Sequence, residues 1–200
     1  MIGFLLTSLV LELTPGPNMG TLASLTLERG RAAGLAVVAG VALGLAVIGA
    51  LAAFGLAALI AESPALYQAL RWAGILYLLY LAYDAWRDAG QGADIAFTSQ
   101  GAGSLFLRGL TLNLLNPKAA IFYIAVLPTF IDAARGAVLA QNLVLVAIYV
   151  AVATAIHAGV VLLAARLRPL LMEGAGERLM RRALAGVMAM IAVWFAWETR

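Results

Sequence analysis

The polar side chains best suited to chemistry in this sequence lie inside long apolar segments. Glu12 and Lys118 each lie within three residues of a proline, and the amides Asn18, Asn113 and Asn116 flank the same prolines. A carboxylate can hold an ammonium group or carry a proton, an ammonium can hold a carboxylate, and amides donate and accept hydrogen bonds. This combination predicts a binding site for a small polar molecule that carries a carboxylate.

Catalytic and metal-binding patterns are missing from the sequence. It has no cysteine, a single histidine, no HExxH motif, and no Ser, His and Asp set or paired Asp inside the apolar segments. We therefore predict that the chain is not an enzyme and uses neither a metal ion nor a cofactor. An efflux transporter for an inorganic cation remains the alternative, with Glu12 and His157 as its only candidate ligands. His157 itself has two interpretations, a buried structural histidine or, with Glu12, a proton relay.

Composition indicates that lipid surrounds most of the chain. Of its 200 residues, 64% are hydrophobic and 12% are charged, and the mean hydropathy is +0.98. A soluble domain usually carries about 25% charged residues. The net charge of +3 and the pI of 9.6 do not indicate a nucleic-acid partner, because the basic residues lie between apolar segments, where they contact membrane lipids.

Six apolar segments are long enough to cross a bilayer, which takes about 20 residues. They lie at residues 2–27, 32–61, 65–86, 105–131, 136–165 and 179–197. The first is interrupted at residues 14–18 (TPGPN) and the fourth at residues 116–118 (NPK). We predict an all-α integral membrane protein with six transmembrane helices, in which helices one and four are broken at these proline motifs.

The basic residues assign an orientation to the six segments. Nine of the 13 lie in, or at the segment ends that border, the connections between segments one and two, three and four, and five and six, and Lys118 lies inside segment four. Three, Arg71, Arg135 and Arg200, lie on the other side. Because Lys and Arg are enriched in cytoplasmic loops, both termini are predicted to lie outside the cytoplasm.

The two halves of the sequence share one pattern. Residues 1–87 and 105–200 flank a linker at 88–104 that is rich in Gly, Ser and Gln, and a shift of 102 residues places Pro117 on Pro15 and Gly136 on Gly34. Each half contains an interrupted helix, a long apolar helix and a third segment, and three crossings invert the second half. The sequence therefore predicts one transporter domain built as a 3+3 inverted-topology repeat.

Both interruptions have the composition of a helix start near the middle of the bilayer. Thr14 and Asn116 are predicted N-caps, and Pro15 and Pro117 suit the first helical position. The positive ends of the two restarted helices would then face each other across an anion pocket.

Lys118 adds a full charge to this predicted pocket. A charge at the bilayer centre costs about 2.5–3.5 kcal/mol, which either a substrate carboxylate or an ion pair with Glu12 would offset. We leave both interpretations open. The predicted transport site comprises Glu12, Thr14, Pro15, Gly16, Pro17, Asn18, Asn113, Asn116, Pro117 and Lys118.

At these two breaks the sequence resembles the lysine-exporter (LysE/RhtB) family. Residues 12–19 (ELTPGPNM) resemble the N-terminal signature of that family, and residues 115–120 (LNPKAA) with 127–130 (LPTF) resemble its fourth-span signature. Residues 29–34 (RGRAAG) and 74–81 (GILYLLYL) are similar to its second and third spans. The paired proline signatures in this order are fairly specific, and the resemblance covers most of the chain before residue 166.

The resemblance implies an exporter of amino acids or close derivatives in the bacterial inner membrane, coupled to the proton gradient. Both termini would then be periplasmic. Its partners would be an amino acid, protons and membrane lipids. A stripe of small residues, Ala36, Gly40 and Gly44, allows close helix packing, either inside one chain or between two chains of a homodimer.

The charge pattern makes a testable prediction about the carboxyl end of the sequence. Alkaline phosphatase fused after Arg200 is expected to be active in a bacterial host, because six crossings return the end of the chain to the periplasm. β-Galactosidase fused at the same position is expected to be inactive. The opposite result would mean an odd number of crossings and would contradict the inverted repeat.

Overall fold

All of the regular structure in the described part of the chain is helical. The computed structural model describes residues 1–14, 16–55, 63–88, 101–132, 134, 136–172 and 177–198. Their α-helices are α1 (Ile2–Leu13), α2 (Pro17–Arg29), α3 (Arg31–Ala53), α4 (Pro64–Asp88), α5 (Ala102–Leu114), α6 (Pro117–Ile121), α7 (Val138–Met172) and α8 (Glu177–Glu198). A π-helical turn, Phe122–Val126, and a 3-10 turn, Leu127–Phe130, continue α6.

Two of these helices are long and apolar enough to cross a membrane by themselves. They are α3, with 23 residues, and Val138–Leu171 of α7, with 34 residues; at 1.5 Å per residue even α3 spans about 35 Å. In the described residues, Ala102–Leu114 and Lys118–Phe130 together form a third candidate, bent by 52° at the second proline motif. The apolar helix α1 is shorter, with 12 residues. The six crossings and the inverted repeat stay predictions.

The predicted linker is shorter on its carboxyl side than the sequence indicated. Helix α4 continues to Asp88, and α5 already begins at Ala102, so residues 102–104 are helical. The rest of the linker, residues 89–100, lies outside the described residues.

Helices from the two halves of the sequence pack against each other. Helix α3 packs on α5 and α7, α7 packs on α1 and α2, and α8 packs on α4 and α2. The largest apolar core therefore mixes residues from both halves, among them Val37 and Val41 of α3 with Phe122 and Val161. A second contact lies at the end of α2, where Arg168 of α7 donates from Nε to the carbonyl oxygen of Leu27 at 3.0 Å.

The closest approach between helix backbones occurs where α3 crosses α5. A Cβ atom on Gly40 would clash with the carbonyl oxygen of Phe106, and a Cβ atom on Gly109 would clash with the carbonyl oxygen of Val37. Two glycines thus let the backbones touch without intervening side chains. The small-residue stripe of the sequence is used here within one chain, and the homodimer stays a prediction.

This crossing predicts a position-specific effect of adding one methyl group. Gly109→Ala is expected to lower stability by roughly 1–3 kcal/mol, the usual cost of overpacking. Gly103→Ala in the same helix is the matched control, because the space around Gly103 is open. Thermal unfolding of the purified protein in detergent measures both, and equal stability of the two variants would contradict the close crossing.

Candidate functional site

The first break differs in register from the sequence prediction. Thr14 is the C-cap of α1, and its Oγ1 donates to the carbonyl oxygen of Val10 at 2.9 Å. Gly16 is the N-cap of α2 in an extended conformation, and Pro17 is the first helical residue. The prediction of Thr14 as N-cap was therefore wrong. A residue that precedes proline disfavours the helical conformation, so Gly16 stays extended and α2 begins at the second proline of the motif.

The prediction that Pro15 is the first residue of the restarted helix was wrong for the same reason, since α2 begins at Pro17. Pro15 itself lies outside the described residues. The second break agrees with its prediction. Asn116 is the N-cap of α6, its Oδ1 accepts a hydrogen bond from the backbone N–H of Lys118 at 3.0 Å, and Pro117 is the first helical residue.

Glu12 lies buried on α1 with a protein donor on each carboxylate oxygen. Tyr149 donates from its hydroxyl to Oε1, and Nε2 of His157 lies 3.2 Å from Oε2. The exposed fractions of the three residues are 6%, 1% and 1% in the order Glu12, Tyr149 and His157. Eight residues separate Tyr149 from His157, about 12 Å of helix rise, and the carboxylate bridges this interval on one face of α7.

The position of Tyr149 depends on aromatic packing that the sequence analysis missed. Its ring stacks on Phe122, with centroids 3.8 Å apart, and meets the ring of Tyr123 edge-on at 5.4 Å. These contacts hold the hydroxyl toward Glu12. Tyr149, Ala153 and His157 follow one another at intervals of four residues, which places them along one face of a helix. This spacing was the only signal for the role of Tyr149 in the sequence.

Lys118 reaches across to the other break. Its Nζ donates to the carbonyl oxygens of Leu11 at 2.7 Å and Thr14 at 2.9 Å. The carbonyl oxygen of Leu11 also accepts from the backbone N–H of Thr14 at 3.2 Å. Carbonyls at a helix C-terminus form the negative end of the dipole, so an ammonium is a favourable cap. The charges of Glu12 and Lys118 are thus held by different partners, and the pocket contains one negative helix end that the sequence analysis did not foresee.

Two of the predicted amides form a buried pair. Nδ2 of Asn18 on α2 donates to Oδ1 of Asn113 on α5 at 3.0 Å, and the two residues are 7% and 0% exposed. Within the described ranges, Oδ1 of Asn18 and Nδ2 of Asn113 have no hydrogen-bond partner. The pair therefore has both a donor and an acceptor left over beside the two breaks.

These groups surround one narrow cavity between the breaks. Its lining includes seven predicted site residues: Glu12, Thr14, Gly16, Pro17, Asn18, Asn116 and Lys118. Tyr149, His157, Met19, Leu45 and Ala119 complete the wall. The cavity volume of about 10 Å³ is what a single water molecule needs, so an amino acid does not fit in this conformation. Asn113 adjoins the cavity through Asn18.

Comparison with known proteins agrees with this architecture. A family profile described as LysE type translocator matches residues 9–199. The chain belongs to this family. No solved structure matches the chain.

Curated relatives cover part of the chain. The homoserine/homoserine lactone efflux protein of Salmonella typhimurium is 32% identical over 129 residues, 64% of this chain and 63% of that protein. The leucine efflux protein of Salmonella choleraesuis is 35% identical over 133 residues, 64% of this chain and 62% of that protein. An uncharacterized membrane protein of Vibrio cholerae is 32% identical over 135 residues, 67% and 66% of the two chains. The chain thus spans between 62% and 66% of the length of these relatives.

The family and the apolar helices together define the class of protein. The translocator profile covers nearly the whole chain, and α3 and α7 each suffice to cross a bilayer. The chain is a multi-pass helical membrane protein.

The buried amide pair generates a prediction about stability. Asn113→Ala is expected to leave the amide of Asn18 buried and unpaired, at a cost of about 1–3 kcal/mol. The double variant Asn18→Ala with Asn113→Ala is expected to be more stable than the sum of the two single variants predicts, because neither partner is then stranded. Denaturant unfolding in detergent micelles measures all three, and strictly additive effects would contradict a direct bond between the amides.

Proposed function

We propose that this chain is a secondary active exporter of an amino acid or a close derivative across the bacterial inner membrane, driven by the proton gradient. The observation that carries the proposal is the narrow cavity between the two breaks. There the ammonium of Lys118, the terminal carbonyls of α1 and the carboxylate of Glu12 converge in a chain of the translocator family. The names of two relatives, a homoserine/homoserine lactone efflux protein and a leucine efflux protein, support amino acids as the substrate class.

The polar groups of the cavity match the two charges of an amino acid. The α-carboxylate pairs with Lys118, the only full positive charge among the cavity-lining residues in the described part of the chain. The α-ammonium takes the carbonyl oxygens of Leu11 and Thr14, which accept from the ammonium of Lys118 in this structure. Substrate entry is then an exchange. Lys118 turns to the carboxylate, the substrate ammonium replaces it on the carbonyls, and every charge stays paired.

Export requires the site to open on each side in turn. The cavity holds about 10 Å³, too little for an amino acid, so the surrounding helices must separate. The site is bounded by α1 and α2 from the first half of the sequence and by α6 and α7 from the second. Rocking of one half against the other therefore opens it to either side, as in other transporters built from inverted repeats.

The charge of Lys118 generates the main test of this proposal. Labelled leucine and homoserine are the probes. Cells with and without the protein are loaded with them, and their export is measured. Lys118→Met is expected to abolish export while the protein stays in the membrane, because the carboxylate loses its partner. Lys118→Arg is expected to restore only part of the activity, because a planar guanidinium differs in size and geometry from an ammonium.

Arg166→Met is the matched control for this experiment. Arg166 is an exposed cation on α7, far along the helix from Tyr149, and its removal is expected to leave export unchanged. Equal amounts of each variant in the membrane fraction establish that the loss is functional. Normal export by Lys118→Met would exclude the carboxylate site proposed here.

A further inference from the structure

Each carboxylate oxygen of Glu12 already has one buried protein partner. Oε1 accepts from the hydroxyl of Tyr149, and Oε2 lies 3.2 Å from Nε2 of His157. The carbonyl oxygens of Leu11 and Thr14 already accept hydrogen bonds from an ammonium, that of Lys118. In the proposed function these carbonyls therefore take the substrate ammonium, and Glu12 makes no direct contact with the substrate.

The hydrogen bonds determine where the trio of Glu12, Tyr149 and His157 can accept a proton. An ionised carboxylate only accepts hydrogen bonds, so Nε2 of His157 carries the hydrogen that it shares with Glu12. In a neutral imidazole Nδ1 is then a bare acceptor. This nitrogen is buried and has no hydrogen-bond partner among the residues that the structure describes. A buried polar atom without a partner is costly, and protonation at Nδ1 changes the charge of the whole trio.

We propose that Glu12, Tyr149 and His157 form the site that carries the coupling proton, with Nδ1 of His157 as the atom that takes it up. The inference rests on the proposed function and assigns the proton to particular residues. On the periplasmic side a hydronium ion gives its proton to Nδ1 and leaves as water. On the cytoplasmic side the N–H bond breaks, and the proton passes to water. No other bond changes.

Competition between proton and substrate follows from charge. Without the proton the trio carries the single negative charge of Glu12, and with the proton its net charge is zero, because the imidazolium balances the carboxylate. Leu11, whose carbonyl lies in the proposed ammonium site, is the neighbour of Glu12 in the chain. The deprotonated trio thus attracts the substrate ammonium, and the protonated trio does not. Alternate occupancy of this kind is what antiport requires.

In the described part of the chain, two other titratable side chains lie near the trio, those of Lys118 and Tyr123. Lys118 on α6 lines the same cavity and keeps its positive charge through the cycle. Tyr123 on the π-helical turn contacts the ring of Tyr149, and its buried hydroxyl lacks a partner in the described part of the chain. Since the groups interact, their titration belongs to the cluster as a whole.

Purified protein in liposomes separates net transport from exchange. Vesicles are tested with labelled leucine and homoserine, first for exchange against unlabelled substrate at equal pH and then for accumulation driven by one unit of pH. At one proton per substrate, one pH unit sustains about a ten-fold concentration ratio. The wild type is expected to approach this ratio. His157→Gln is expected to keep exchange but to reach a ratio of about one, because the charge of Glu12 still attracts the substrate and Nδ1 is gone. Glu12→Gln fixes the trio in the uncharged state of its protonated form and is expected to lose exchange and accumulation together.

Each result decides the proposal. Gradient-driven accumulation by His157→Gln at the wild-type ratio would overturn it, and so would wild-type exchange by Glu12→Gln, which would show that the charge of the trio does not govern substrate binding. Retained exchange also proves that a variant is folded. If the wild-type protein transports neither probe in either assay, the proposed function fails and this inference with it. A wild type that exchanges but ignores the pH gradient refutes the proton site alone.

Tyr149 acts as a positioning residue for Glu12, and a matched pair of variants tests it. Tyr149→Phe removes the donor to Oε1, and Tyr123→Phe removes a hydroxyl that has no described partner. The pH at which accumulation is half-maximal is expected to move to higher pH in Tyr149→Phe, with exchange retained. The same profile is expected to stay in place for Tyr123→Phe. Identical profiles for the two variants would remove Tyr149 from the proton site.

Discussion

The ammonium of Lys118 on the terminal carbonyls of α1 is the interaction on which the site depends. The last carbonyl groups of a helix lack regular intrahelical partners and form the negative end of its dipole. Nζ of Lys118 donates to those of Leu11 and Thr14 at 2.7 and 2.9 Å. At the same time the negative helix end compensates a charge placed unfavourably at the second position of α6. Each break thus stabilises the other, which explains why an apolar protein tolerates both.

The two proline motifs allowed much of the site to be predicted from the sequence. Composition indicated the lipid environment, and the two proline motifs contain six of the residues that line the cavity, with Glu12 two residues before the first motif. Asn116 was identified as a cap because a single proline follows it. The error at Thr14 came from the second proline of the first motif, which holds Gly16 extended and moves the helix start to Pro17. Capping rules that use only neighbouring residues predicted the helix start correctly at the motif with one proline. At the motif with two prolines, either proline could be the first helical residue, and the prediction chose the wrong one.

The partners of the charged groups depended on information that is not local. In a lipid-facing helix apolar residues cover every side, so the periodicity that reveals a buried face in a soluble protein is weak. Apolar periodicity therefore did not separate Tyr149 from the other tyrosines, and its stacking on Phe122 is a contact between distant parts of the sequence. The same applies to the bond between Asn18 and Asn113, 95 positions apart. Which side chains face Glu12 depends on the rotation of α7 about its axis.

The crossing of α3 and α5 at Gly40 and Gly109 has a mechanical consequence. Helices usually interlock through ridges and grooves of side chains, and turning one over the other then forces rotamers to change. At Gly40 and Gly109 each backbone lies against a carbonyl group of the other helix, and no side chains interlock there. At this crossing the two halves of the chain can therefore rotate against each other without rotamer changes, while the close backbone contact keeps them together.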